Sequence, residues 1–212
     1  MLLSVIGDHG FALAGAGAIR EHALTDRPTS DVDLFGPPLT TADQFAAVVE
    51  LVVQSLSDAG YTVEVLRSFA QFARLRIIKD GADVLEVDLA LNWRAEPPVH
   101  LAVGPVLSER DAIAGKLSAV YSRGEIRDFL DLDAIRSSGR ITDDALLNLG
   151  AEHDDGFDAG MFAEQLSRVV GFLPSEAAVY GIGRDDFGAI QQRLLDWVNQ
   201  IRHAPHPPTA AS

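Results

Sequence analysis

Asp31 and Asp33 stand two residues apart in Asp31-Val-Asp-Leu-Phe35, a polar–apolar alternation that predicts a strand ended by Gly36-Pro-Pro. Alternate side chains of a strand share a face, so the two carboxylates project together, roughly 7 Å apart along the chain. Like charges so placed repel unless a cation sits between them. A pair of solvated aspartates on an open strand face accounts for the same two residues, because D-x-D is a short pattern. Asp88 adds a third carboxylate. In Leu85-Glu-Val-Asp-Leu-Ala-Leu91 the leucines and Val87 take one strand face while Glu86 and Asp88 take the other. Asp88 can therefore stand beside the first pair on a neighbouring strand. Three hard oxygen ligands suit Mg²⁺, which is held by carboxylates together with substrate phosphates.

Two further features bear on phosphate chemistry. Leu13-Ala-Gly-Ala-Gly-Ala18 is a small-residue turn before a helix. The backbone N–H groups of Gly15, Ala16 and Gly17 can approach a phosphate closely there, although such runs also serve tight helix packing. Lys116 flanks a helical stripe of Ile113, Leu117, Val120 and Tyr121, so its amine starts near buried surface. A snorkelling lysine fits that position. Only Lys79 and Lys116 are lysine, however, and in so arginine-biased a chain a compact point charge suits a phosphate. Asp128 begins the next helical stretch, where an acid complements the helix dipole. The six histidines show no spacing of metal ligands.

These residues need a sheet and helices to position them. Ala16 to Leu24 reads as helical. Thr41 with Gln44 three residues on forms a capping box, and Phe45, Val48, Val49, Val52 and Leu56 keep helical spacing to about Ala59. Tyr61 to Leu66, Ala73 to Lys79 and Val84 to Leu91 read as strands, with Asp80-Gly81 as a hairpin turn. Strands alternating with helices and then a meander predict an α/β sheet domain. Pro97, Pro98, Gly104 and Pro105 mark a boundary, after which only helices are expected: one opened by Ser108 and Asp111, then about Ile126 to Ser137, Thr142 to Ala151, Ala159 to Val170 and Asp185 to Arg202. The expected domains are 1–104 and 105–203, followed by a flexible tail over 204–212 rich in Pro and Ala.

The 212 residues carry 17 basic and 31 acidic side chains, a net charge of −14, and dividing the chain at Leu107 leaves each part at −7. No basic domain is hidden in the average, which argues against a general nucleic-acid coat. A polyanionic partner must be met locally, for which Arg67, Arg74 and Arg76 near the hairpin are available. A hydrophobic content of 47% indicates a globular protein. The absence of cysteine excludes disulfides, thiolate zinc sites and cysteine nucleophiles. No apolar run approaches the length of a membrane span, and Met1 to Ile6 lacks the features of a signal peptide, so the default location is the cytoplasm.

Taken in order, Phe11-Ala-Leu-Ala-Gly-Ala-Gly-Ala18, Arg27-Pro-Thr-Ser-Asp-Val-Asp-Leu34, a strand aspartate, Lys116-Leu-Ser-Ala-Val-Tyr-Ser-Arg123 and Arg127-Asp-Phe-Leu-Asp-Leu132 resemble the AbiEii/AbiGii family of nucleotidyltransferase toxins, and also the MenT-type toxins. The resemblance covers about Phe11 to Ile135. It implies an α/β fold, with a nucleotidyltransferase-type mixed sheet and flanking helices followed by a C-terminal helical bundle. It implies Asp31 and Asp33 as catalytic metal ligands with Asp88 as the third carboxylate, and Lys116 and Asp128 as active-site residues on the helical side. Gly15, Ala16, Gly17, Arg27, Thr29 and Lys116 would meet the nucleotide. The family's small hydroxyl residue after the glycines is missing here, leaving the backbone donors. The implied cofactor is Mg²⁺ or Mn²⁺ with an NTP as co-substrate. The implied partners are the acceptor end of tRNA and a cognate antitoxin, with no membrane. Two other functions remain open at this level: a small-molecule nucleotidyltransferase acting on cationic aminoglycosides, and a catalytically silent module that binds an antitoxin.

Overall fold

The computed structural model describes residues 1–203; the expected tail, with His206, lies outside the described residues. The chain divides into two units, Met1–Ile113 and Ala114–Ser212, with the division inside one helix.

The first unit is built on a seven-stranded mixed sheet. Its strands are β1 (Ala12–Leu13), β2 (Asp31–Gly36), β3 (Thr62–Ser68), β4 (Phe72–Lys79), β5 (Ala82–Leu91), β6 (Val99–Leu101) and β7 (Gly104–Val106), in the order β3-β4-β5-β2-β1-β7-β6. β2 runs parallel to β5, and β1 parallel to β7; the other neighbours are antiparallel. Helices α1 (Leu2–Ile6), α2 (Gly15–Glu21) and α3 (Ala42–Asp58) accompany it.

α3 starts where its sequence says it should. Thr41 Oγ1 accepts from the Gln44 N–H at 3.3 Å and Gln44 Oε1 accepts from the Thr41 N–H at 2.9 Å, a reciprocal cap that satisfies two otherwise orphaned donors. Its apolar stripe, Phe45, Val48, Val49, Val52 and Leu56, is buried in one cluster with Leu34, Leu75, Ile77, Val87 and Leu89 from β2, β4 and β5. Burial of that stripe against the strands is what fixes the sheet's inner face. Asp80 and Gly81 both have positive φ (53° and 79°), as a two-residue hairpin between β4 and β5 requires.

The opposite face of these strands carries the polar alternates. Pairing register lines them up in rows. One row crosses β3, β4, β5 and β2 as Glu64, Arg76, Glu86 and Asp31, and the next as Arg67, Arg74, Asp88 and Asp33. A third row holds Phe72, Ala90 and Phe35.

Residues 99–106, where prolines and glycines mark a break in the sequence, carry β6 and β7, and β7 pairs with β1. Three-residue strands are too short to show an alternation, so the helix-only stretch begins later than expected, at α4 (Glu109–Ser122). Ser108 Oγ opens that helix by accepting from the Asp111 N–H at 3.0 Å.

The second unit contains the rest of α4, α5 (Ile126–Ser137), α6 (Asp143–His153), α7 (Ala159–Ser167), α8 (Pro174–Ala178) and α9 (Arg184–His203). Its core gathers Phe129, Leu132, Ile135, Leu146, Phe162, Leu166, Phe187, Leu194 and Trp197, all at or near full burial. α9 presents Phe187, Ile190, Leu194, Trp197, Val198 and Ile201 inward, as its spacing predicts. Among the described residues no helix is long and apolar enough to cross a membrane.

Candidate active site

β2 places Asp31 and Asp33 on one face, both partly exposed, while Leu34 between Asp33 and Phe35 points into the core. The chain entering α2 is tied to β2 by the Ala14 N–H, which donates to the Asp33 carbonyl at 2.8 Å. Gly15 then passes so close that a Cβ placed on it would lie 1.7 Å from Asp33 Oδ2, and its φ of +56° belongs to the left-handed region. Glycine is required there twice over, by space and by backbone conformation. Gly17 has a different reason: its Cβ would meet the Leu13 side chain at 2.9 Å, a packing constraint. A Gly15→Ala variant should push the Asp33 carboxylate out of place and lower turnover about 100-fold, as misplacement of about 1 Å can do. It should also destabilise the fold by about 1–3 kcal/mol; steady-state transfer and a thermal melt check both.

Thr29 and Arg27 flank the same strand. The Thr29 hydroxyl lies against the Asp31 carboxylate and the Asp31 carbonyl, so it orients Asp31. Arg27 is largely buried and donates from Nη1 to the Pro28 carbonyl at 3.1 Å.

Asp88 is in register with Asp33 on the adjacent strand. Both of its oxygens are engaged from the other side, by Arg74 Nε on Oδ1 at 2.7 Å and Nη2 on Oδ2 at 2.6 Å. Hydrogen bonding to Asp88 holds the Arg74 guanidinium above its ordinary range; partial burial opposes this, and the charges of Asp88, Glu86 and Asp31 add to it. Arg76 sits between Glu64 at 3.6 Å, Asp83 at 3.7 Å and Glu86 at 3.7 Å. Arg67, Arg74 and Arg76 thus share a sheet face, but two of the three are offset by carboxylates. Among the described residues no group of three or more His, Asp or Glu side chains gathers as a metal site. The donor chemistry of Asp31 and Asp33, two carboxylates on one strand face beside a loop that leaves no room for a side chain, fits a hard divalent cation.

The second unit holds Lys116 and Asp128. Lys116 is 5% exposed and its Nζ is 2.7 Å from Asp131 Oδ2 and 3.8 Å from Asp128 Oδ1. Asp128 is fully buried; it accepts from Arg123 Nε and Nη2 at 2.9 and 3.0 Å and from the Glu125 N–H at 3.2 Å. It therefore caps α5 and fastens the α4–α5 junction as well as facing the lysine. Asp131 was not among the residues singled out from the sequence. Its signal was present: it lies three residues after Asp128, on the same helix face, within Arg127-Asp-Phe-Leu-Asp131.

A family model described as nucleotidyl transferase AbiEii toxin, type IV TA system, matches residues 2–205. Among solved structures the chain is similar to MenT4, a nucleotidyltransferase toxin from Mycobacterium tuberculosis H37Rv, with a TM-score of 0.60 and 18% identity over 93% of this chain and 80% of that one. It is also similar to JHP933 from Helicobacter pylori, with a TM-score of 0.53 and 16% identity over 94% and 87% of the two chains. At these identities the likeness is one of fold. No curated protein matches the sequence.

Proposed function

We infer that this chain, which belongs to the AbiEii family of nucleotidyltransferase toxins of type IV toxin–antitoxin systems, transfers a nucleotide from an NTP to an acceptor hydroxyl in a metal-dependent reaction, with the 3′ end of tRNA as the acceptor. The observation that carries this reading is the Asp31–Asp33 pair on the open face of β2, with Gly15 cleared away from Asp33. Bound to these carboxylates, Mg²⁺ or Mn²⁺ supplies the positive charge that displacement at the α-phosphorus demands. The acceptor hydroxyl oxygen bonds to that phosphorus and its proton passes to solvent, while the bond from phosphorus to the oxygen of the β-phosphate breaks and pyrophosphate leaves. Asp31 and Asp33 hold charge and position, Thr29 steadies Asp31, and Arg27 with the backbone donors of Gly15, Ala16 and Gly17 meets the nucleotide phosphates. Lys116, which pairs with Asp131 and Asp128, is the compact positive charge assigned to the triphosphate. Catalysis in this scheme is positioning and electrostatics. The cytoplasm, where NTPs and tRNA are found, is the location that fits.

In bulk terms a net charge of −14 favours a cationic small molecule over a polyanion, so the test offers both acceptors. The protein is incubated with Mg²⁺ and each α-labelled NTP, with either total tRNA or an aminoglycoside panel. Label on tRNA supports the proposal; label on the small molecule moves the enzyme to the second acceptor class; no label with any pair contradicts both.

A further inference from the structure

We propose that the β4–β5 flank of the aspartate pair is the acceptor's side of the reaction, where Asp88 is the positioning residue for Arg74 and Arg74 meets a phosphate of an RNA acceptor. This rests on the function proposed above, which gives the donor triphosphate the α2 flank.

β2 has two neighbours, and they differ in kind. On the β1 side, the Gly15 backbone lies against Asp33. On the β5 side comes Asp88, then Arg74 one strand further on, in one register row with Asp33. With the triphosphate on the first flank, the acceptor hydroxyl must approach from the second for an in-line displacement. Each oxygen of Asp88 accepts a charge-assisted hydrogen bond from Arg74, so its negative charge is already offset on that flank. A cation bound at the remaining lone pairs of Asp88 would stand beside the Arg74 guanidinium and be repelled by it.

What the flank does offer is Arg74. Its Nε and Nη2 are spent on Asp88, whereas Nη1 has no hydrogen bond among the described residues. The side chain is 38% exposed against 14% for Asp88, so the arginine is the outward member of the pair. Its guanidinium lies 5.9 Å from the Phe72 ring centroid. Phe72 shares the next row with Ala90 and Phe35, and Phe69 at the β3–β4 turn is 67% exposed. A fixed guanidinium for a phosphate beside aromatic faces for unstacked bases is the chemistry of single-stranded RNA recognition. The same guanidinium would repel a cationic small-molecule acceptor.

The test uses the full chain with Arg74→Gln, Asp88→Asn, the double variant and Asp33→Asn, each checked by thermal melt. Three affinities are read separately: Mn²⁺ by electron paramagnetic resonance, a fluorescent NTP analogue without RNA, and labelled tRNA by anisotropy. Asp33→Asn should lose Mn²⁺ binding, while Asp88→Asn keeps it within about twofold. Arg74→Gln and Asp88→Asn should each weaken tRNA binding about tenfold or more, the size of one charged hydrogen-bonded contact, and leave the NTP affinity unchanged. The double variant should be no worse than either single one, because the two residues act as a unit. Loss of Mn²⁺ binding in Asp88→Asn would make Asp88 a metal ligand and overturn the proposal. Weakened NTP binding with intact tRNA binding in Arg74→Gln would also overturn it, as would tRNA affinity untouched by either variant. Failure of the wild-type chain itself to bind tRNA would overturn this inference together with the proposed acceptor.

Discussion

An Asp33→Asn variant is expected to lose nucleotide transfer by about a thousandfold or more while melting close to the wild type. The change keeps the volume of the side chain, so the close contact with Gly15 is preserved and no cavity or clash follows. The side chain is partly exposed, and substitutions of that kind usually shift stability by about 0.5 kcal/mol or less. What is lost is one of two negative charges on a single strand face, and with it the attraction for a divalent cation. Near-wild-type transfer by a folded Asp33→Asn protein would remove the aspartate pair from the mechanism. Loss of transfer with a collapsed melt would instead mean that Asp33 holds the strand.

The largest effect on stability is expected at Asp131. Its side chain and that of Lys116 are 0% and 6% exposed, and they pair at 2.7 Å. Removing Asp131 leaves the buried Lys116 charge facing the more distant Asp128 at 3.8 Å, and loss of one member of such a pair typically costs up to about 3–5 kcal/mol. In a chain of this size Asp131→Ala should lower the melting temperature on the order of 10 °C. Asp133 is an instructive contrast. It is also buried and accepts from Arg193 Nε and Nη2 at 2.9 and 2.6 Å, but the Arg193 side chain is 47% exposed. Water can take over that guanidinium, so Asp133→Ala should cost much less. Replacing both Lys116 and Asp131 by Met and Leu should restore most of the lost stability and none of the activity. Transfer by that double variant would show that Lys116 serves the fold alone.

Much of this was legible in the sequence because long periodic segments announce themselves. The spacing from Phe45 to Leu56, with Thr41 and Gln44 ahead of it, gave α3 and its cap; the bounds Ile126 and Ser137 were read directly for α5, and the α9 stripe residue by residue. α1, α8, β6 and β7 leave no such mark, because three to five residues hold fewer than two periods of either pattern. The membership of Asp31, Asp33 and Asp88 on one sheet face was legible from alternation alone, but the pairing of Asp88 with Arg74 was not. Counting back evenly from the Asp80-Gly81 turn would set Arg74 opposite Val87. The strand irregularity at Ile77 and Ile78 shifts the register by one, to Asp88, and a shift of one exchanges the faces that meet. The signal of Asp131 is ambiguous for the opposite reason: an acid three residues from another on a helix is also an ordinary surface pattern, and burial beside Lys116 sets it apart.

In the proposed reaction a nucleotide is joined to the 3′ hydroxyl of tRNA by the chemistry of Asp31 and Asp33. The most direct measurement is the 3′-terminal sequence of tRNA, read by end-directed sequencing or terminal-fragment mass, after incubation with the wild-type chain, NTPs and Mg²⁺. Molecules extended by one or more nucleotides at that hydroxyl are expected with the wild-type chain and not with Asp33→Asn. Unextended 3′ ends under conditions where the wild-type protein consumes NTP would contradict the proposed reaction.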